Sequence, residues 1–485
     1  MIKKTLIIVM LIILANVSNS YTANIENQKL RTAQHDFNKN DIIDLGDAII
    51  VLQILSGGHK NDNVKENAGI ILDGSMNSSL ALPELNGLIE IPSYVGLVKG
   101  KNLFHSFEDF NIPSNKTATF NGSDSIENII IRITGDEASF IDGQFKSDLP
   151  GANIYLMNPN GVMIGENASI DLTGSLHIST ADYLLMESEA HFPVNAEQTE
   201  LSISEPSGFG FLDNSNGKIE IINNNQLTMP PDKAISFIGS EIVLKNSKIT
   251  ASEGEIIIAS LTSCEIRHND NGLTMNAADS HGNIIIDNHS KLIVDGAGSG
   301  KIYILGGEVL INADSLISAS SWENKNGGII DIQANNLNLG DASVIQSENI
   351  AGESNTGGDI NIIVSEAIYI SNASRIVSST TNSNAGSIDI QAKNISMIQG
   401  ANISTHATGF GAGGEISISV TEEVLISDSS RISLENDAAG NLHIAGDILF
   451  INGAEPVSQG HDTGKGGHII ISSENDLTEN QIIME

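Results

Sequence analysis

The distal half of the chain repeats itself. Segments beginning at Gly327, Gly357, Gly386, Gly413, Gly440 and Gly466 read GGIIDIQANNLNL, GGDINIIVSEAIYI, GSIDIQAKNISMI, GGEISISVTEEVLI, GNLHIAGDILFI and GGHIIISSENDLT. Successive copies start 30, 29, 27, 27 and 26 residues apart, and weaker copies start near Gly254, Gly282 and Gly300. A fixed period of this size marks a solenoid. Within a copy, apolar residues alternate, as in Ile388 and Ile390 or Ile416 and Ile418. That is the period of a strand with one buried face. A second short strand follows a few polar residues later, then a loop of Ser, Asn and Gly.

No single copy can bury its apolar face alone. Stacking the copies does so, at roughly 1.5–3 kcal/mol for each inward Ile, Leu or Val, and stability accumulates between neighbours. The pattern predicts an all-β fold, a parallel β-helix with one coil per copy. Gly at the start of each copy suits a corner where backbones approach closely. Asn-rich corners can stack as ladders that satisfy one another's amides. The rival is an antiparallel sandwich, but Asn-Gly hairpin signals between strands of equal length are too sparse.

The formal charge of the 485 residues is 24 − 60 = −36. A nucleic-acid partner is excluded by this balance, because phosphates require a basic face; adsorption to anionic lipid is disfavoured for the same reason. Aromatic residues make up 4% of the chain, with Trp322 the single tryptophan, which argues against the ring-stacking cleft of a carbohydrate-active enzyme. Cys264 is the one cysteine, so no disulfide can form within the chain. Either such a chain must stay threadable through a narrow pore, or it is simply one of many exported proteins poor in cysteine.

The N-terminus reads as a secretory signal peptide over residues 1–20. Lys3 and Lys4 precede a short apolar run from Thr5 to Ala15, and Ser18-Asn19-Ser20 supplies the small residues of a cleavage site. The run is too short to span a bilayer comfortably. A helical segment is expected over 24–60, a polar connection over 61–83, and strands beyond.

The segment DFNKNDIIDLGD places oxygen donors at the spacing of a Ca²⁺ loop. Asp36, Asn38, Asn40, Asp44 and Asp47 fall at loop positions one, three, five, nine and twelve, and Ile42 offers its carbonyl at seven. Ile49, Leu52 and Leu55 then form a helical apolar stripe ended by Gly57-Gly58. This resembles a single dockerin-type or EF-hand-like half-motif. It departs from that pattern in having Asp41 at position six and only one copy. The alternative reading is a solvated acidic helix start.

Asn158-Pro159-Asn160-Gly161 interrupts two strands with a stiff turn. Pro159 presets φ, Asn160 accepts either helical hand, Asn158 can bond the backbone two residues on, and Gly161 closes the turn. It serves as a rigid corner, as a nucleus for the first coils, or as both. In NLFHSF, Phe104 and Phe107 read as core, and His105 as a buried imidazole. No HExxH, Walker, GxSxG or zinc-spaced cluster is present.

Between residues 84 and 262, the strings NLFHSFEDFNI, ENIIIRITGDEASFIDGQF, GANIYLMNPNGVMIGENASIDLTGSLHISTADYL and PSGFGFLDNSNGKIEI resemble the filamentous-haemagglutinin-type secretion domain of two-partner secretion systems. The resemblance implies that 84–262 is an address recognised by an outer-membrane β-barrel transporter with periplasmic binding modules. Asn102, Leu103, Phe104, His105, Ser106 and Phe107, with Asn158, Pro159, Asn160 and Gly161, would form its motif boxes. It further implies that the chain crosses the periplasm unfolded and folds outside into a right-handed parallel β-helix, continued by the repeats of 263–485. The expected protein is a non-enzymatic adhesin, secreted or on the surface of a Gram-negative bacterium, with an unknown receptor. The alternative is a parallel β-helix polysaccharide lyase or hydrolase, which the scarcity of Arg and aromatic residues disfavours.

Overall fold

The computed structural model describes residues 69–472, apart from 77–78, 196–200, 213–215, 225–226, 270–271, 276–280, 299, 324–325, 351–355, 382–383, 439, 451–453 and 461–467. The signal peptide, the helical segment 24–60 and the calcium set Asp36, Asn38, Asn40, Ile42, Asp44 and Asp47 lie outside the described residues. Within them the chain forms strands and turns with no α-helix; one 3-10 turn spans Ser93–Val95.

The strands stack in parallel. Asn102–Phe110 pairs with Asn128–Ile133, that strand with Asn153–Met157, and the ladder continues through Leu176–Ser179, Ala234–Gly239, Glu255–Ser260 and Lys301–Ile311. Long strands then carry it to Ile469–Ser472. The parallel β-solenoid expected from the repeats is therefore present. Its interior is a continuous column of Ile, Leu, Val and Phe running from Ile70 to Ile444.

Ile330, Ile360, Ile388, Ile416, Leu442 and Ile469 share one register, so the coil lengths there are 30, 28, 28, 26 and 27. The offsets read from the first Gly of each copy differ slightly, because the second Gly of each Gly-Gly pair is the one in register. Gly328, Gly358, Gly386, Gly414 and Gly440 pack so closely that a β-carbon on any of them would strike the carbonyl of the preceding glycine in the column. The two short strands expected in each copy are often one bent strand. In Ile329–Leu339 the inward alternation breaks at Asn335 and Asn336, where two successive residues are only half-buried.

Serines organise a second corner. Ser247, Ser290, Ser315, Ser343, Ser374 and Ser430 are buried. Most of them follow two residues with positive φ, as in Ala313-Asp314, Asp341-Ala342, Asn372-Ala373 and Asp428-Ser429. Backbone in this region is disfavoured for residues other than Gly. The geometry turns the serine inward, and the hydroxyls of Ser290, Ser343 and Ser430 accept an amide of the preceding coil: Ser247 N–H to Ser290 Oγ at 3.3 Å, Ser315 N–H to Ser343 Oγ at 3.1 Å, Ala401 N–H to Ser430 Oγ at 3.1 Å.

Two elements depart from simple stacking. Antiparallel strands Ile70–Asp73, Ser79–Ala81 and Leu97–Lys99 cover the open edge of the first coil, so it offers no free strand edge there. The polar connection expected over 61–83 thus contributes strands from Ile70 onward, and Ile70 and Leu72 enter the core. A five-stranded antiparallel sheet, His191–Pro193, Tyr183–Met186, Pro206–Gly210, Glu265–Asn269 and Gly272–Met275, lies on the outside of the solenoid. Between it and the coils sits a separate apolar core that includes Phe104, Met157, Phe192, Phe209, Ile257 and Leu305. A boundary at residue 262 would cut through this sheet, since two of its strands follow that point.

Candidate functional site

The strand Asn102–Phe110 lies between the two cores. Leu103, Phe107 and Phe110 point into the solenoid, and Phe104 points outward to meet Phe192 of the external sheet, with ring centroids 4.9 Å apart. Leu72 pairs with Phe107 and Ile71 with Asp109, so Glu108 is a bulge that keeps Phe110 inward. Asn102 starts a ladder. It accepts from Asn128 Nδ2 at 3.0 Å, and Asn128 Oδ1 accepts from Asn153 Nδ2 at 3.4 Å. Its own amide donates to the carbonyls of Ser202 and Ser204. This is the amide stacking that Asn-rich corners predict.

His105 is fully buried, stacked on Phe107 at 5.7 Å and tilted against Phe120 at 5.5 Å. Burial pushes its pKa down to about 3, so the ring is neutral. Neither ring nitrogen has a hydrogen-bond partner among the described residues. A β-carbon at Gly96, just before the strand Leu97–Lys99, would strike the Phe104 carbonyl and this ring.

Ser106 belongs to a buried polar node. Arg132 Nε donates to Ser106 Oγ at 2.8 Å, and Ser106 Oγ donates to Asp73 Oδ2 at 2.6 Å. Arg132 also donates to the Pro193 carbonyl at 2.8 Å and to Ser75 Oγ at 3.1 Å, and its guanidinium lies 5.0 Å from the Phe192 ring centroid. Thr134 Oγ1 donates to Asp73 Oδ2 at 2.9 Å. Burial works to raise the Asp73 pKa, yet the hydrogen bonds from Ser106, Ser75 and Thr134 outweigh it and hold the carboxyl below its ordinary value. Burial draws the Arg132 guanidinium down, opposed by the charge of Asp73. One cluster therefore joins the N-terminal cap, the first two coils and the external sheet.

Asn158-Pro159-Asn160-Gly161 forms the expected turn. Gly161 N–H donates to the Asn158 carbonyl at 3.0 Å, and Asn160 N–H to Asn158 Oδ1 at 3.0 Å. Asn158 is fully buried, and its amide reaches the preceding coil at Glu137 O (3.1 Å) and Ser139 Oγ (3.0 Å). Gly161 has φ +118°, and a β-carbon there would approach the Lys218 carbonyl at 2.9 Å. Pro159 is half-buried and Asn160 exposed.

The two boxes are thus held apart, each joining neighbouring coils, and form no common surface. All six residues of NLFHSF are buried. The sequence reading missed Asp73, Ser75 and Arg132. Arg132 had a visible signal, a lone charge inside the apolar run NIIIRI. Among the described residues no group of three or more His, Cys, Asp or Glu could hold a metal ion.

The geometry defines a capped β-solenoid whose motif residues are joints of the fold. Residues 68–304 match the family model of the TPS secretion domain, which supports a non-enzymatic exoprotein of the two-partner-secretion type. The match begins before the cap strand Ile70–Asp73 and runs past the external sheet. Among solved structures, the crystal structure of a filamentous hemagglutinin secretion domain aligns with 83% of this chain and 99% of that one, at 12% identity and a TM-score of 0.37. No curated protein matches the chain by sequence.

Proposed function

We propose that the protein is exported through a dedicated outer-membrane β-barrel transporter of a Gram-negative bacterium, and acts outside the cell as an extended adhesin. In this reading residues 1–20 direct the chain to the periplasm and the region 68–304 is the address read by the transporter. The observation that carries it is the burial of the motif boxes. Asn102 to Phe107 and Asn158 are inaccessible once folded, so a transporter would meet them only in the unfolded chain. Outside the cell the same residues would close the cap and the first coils. Burial of apolar side chains at roughly 1.5–3 kcal/mol each would oppose backsliding. The repeats that follow extend the scaffold and hold no catalytic residue in this reading; adhesion is proposed on their account.

The test is export. Each variant is co-expressed with the cognate transporter, and secreted protein is compared with periplasmic protein. Asn158→Ala removes both bonds to the preceding coil and should reduce secretion several-fold. Asn160→Ala, at an exposed position, should reduce it far less. Equal secretion of both variants and the parent, with only the Asn158 variant melting lower, would confine the turn to a structural role.

A further inference from the structure

The external sheet stops part-way along the solenoid. Its last strand, Gly272–Met275, pairs on one side with Glu265–Asn269 and has no second neighbour among the described residues. Beneath it, the outward positions of the parallel ladder change character. Ile257 and Tyr303 are covered, and the same column continues as Asp331, Asn361 and Asp389. The neighbouring column runs from Leu305, covered, to Gln333 and Ile363, which are exposed. A cleft at the junction is lined by Gly272, Leu273, Tyr303, Leu305, Asp331 and Gln333. An unpaired strand edge thus faces a floor that offers carboxylates in one column and an apolar side chain in the next.

We propose that this edge and floor form a docking site for an extended segment of a partner protein in which a basic and an apolar side chain stand two residues apart, in a Lys-x-Val-x pattern. An added strand would take up the open hydrogen-bonding groups of Gly272–Met275. Its inward side chains, two residues apart, would meet the two columns: a basic one over Asp331 and Asp389, an apolar one over Ile363, which is 48% exposed on an otherwise polar floor. Charge selects the occupant. A second copy of this chain brings a formal charge of −36 to an acidic floor, whereas a basic strand is attracted to it.

The probe is a fluorescent N-acetylated (Lys-Ser-Val-Ser)₂ amide titrated into the full chain at physiological salt. Saturable binding is expected, with slower hydrogen exchange of the 272–275 amides in the complex. The double variant Asp331→Lys, Asp389→Lys should weaken binding at least tenfold, Ile363→Lys should weaken it several-fold, and (Glu-Ser-Val-Ser)₂ should not bind. Absence of binding up to millimolar peptide would overturn the proposal. So would binding that ignores these substitutions and leaves the edge amides unprotected, since that is diffuse attraction to an acidic protein. Concentration-dependent dimerisation abolished by Ile363→Lys would assign the face to a second copy instead.

Discussion

Ser106 accepts a hydrogen bond from Arg132 at 2.8 Å while donating one to Asp73 at 2.6 Å. One hydroxyl therefore connects a guanidinium on the second coil to a carboxylate on the cap. Neither charge is left alone in the interior, where an unpaired ion is costly.

Arg132→Met should destabilise the folded chain by about 1–3 kcal/mol, because Ser106, Ser75 and the Pro193 carbonyl lose the donor they share. Arg132→Lys should recover only part of this, since one ammonium cannot reach Ser106, Ser75 and the Pro193 carbonyl together. Urea unfolding followed by circular dichroism measures both. A Met variant as stable as the parent would show that the node contributes nothing net.

His105 makes stability depend on pH. Its folded pKa is about 3 against an ordinary value of 6.5, so the unfolded chain binds a proton that the folded chain refuses. The contribution of the neutral ring is complete above about 6.5 and is lost as the pH falls towards about 3, at about 1.4 kcal/mol per pH unit. Asp73, held below its ordinary 3.8, adds a loss of the same sign only at still lower pH. Urea midpoints between pH 7 and 4.5 should fall for the parent and fall less for His105→Leu. Parallel pH profiles for the two proteins would contradict this account.

The serine corner predicts a local effect. Ser343 accepts the Ser315 amide from inside a fully buried site. Ser343→Ala should cost about 1–3 kcal/mol, the penalty of an unsatisfied buried amide. Hydrogen exchange of the Ser315 amide should accelerate, while amides near Asn102 stay as protected as in the parent, because coils interact with nearest neighbours.

Calcium binding is testable on the N-terminal loop. Isothermal titration of the full chain should show one Ca²⁺ site, lost in Asp36→Ala, Asp47→Ala. Identical heats from the parent and the double variant would dismiss Asp36, Asn38, Asn40, Ile42, Asp44 and Asp47 as ligands.

Sequence alone determined the solenoid, because its coil length and inward alternation are periodic properties of the chain. Ile388, Ile416 and Leu442 announce a shared register in the repeat itself, and the glycine column and Asn ladder follow from stacking like on like. The turn at Asn158 was also legible, since Pro159 and an Asx side chain act over three or four residues. The joints were decided only by tertiary structure. Asp73, Ser106, Arg132 and Pro193 come from separate stretches of sequence, and their pairing has no local period. The antiparallel sheet was equally hidden: Phe104 reads as core, but only a segment folded back over the coils decides that it and Ile257 enter a second core outside the solenoid.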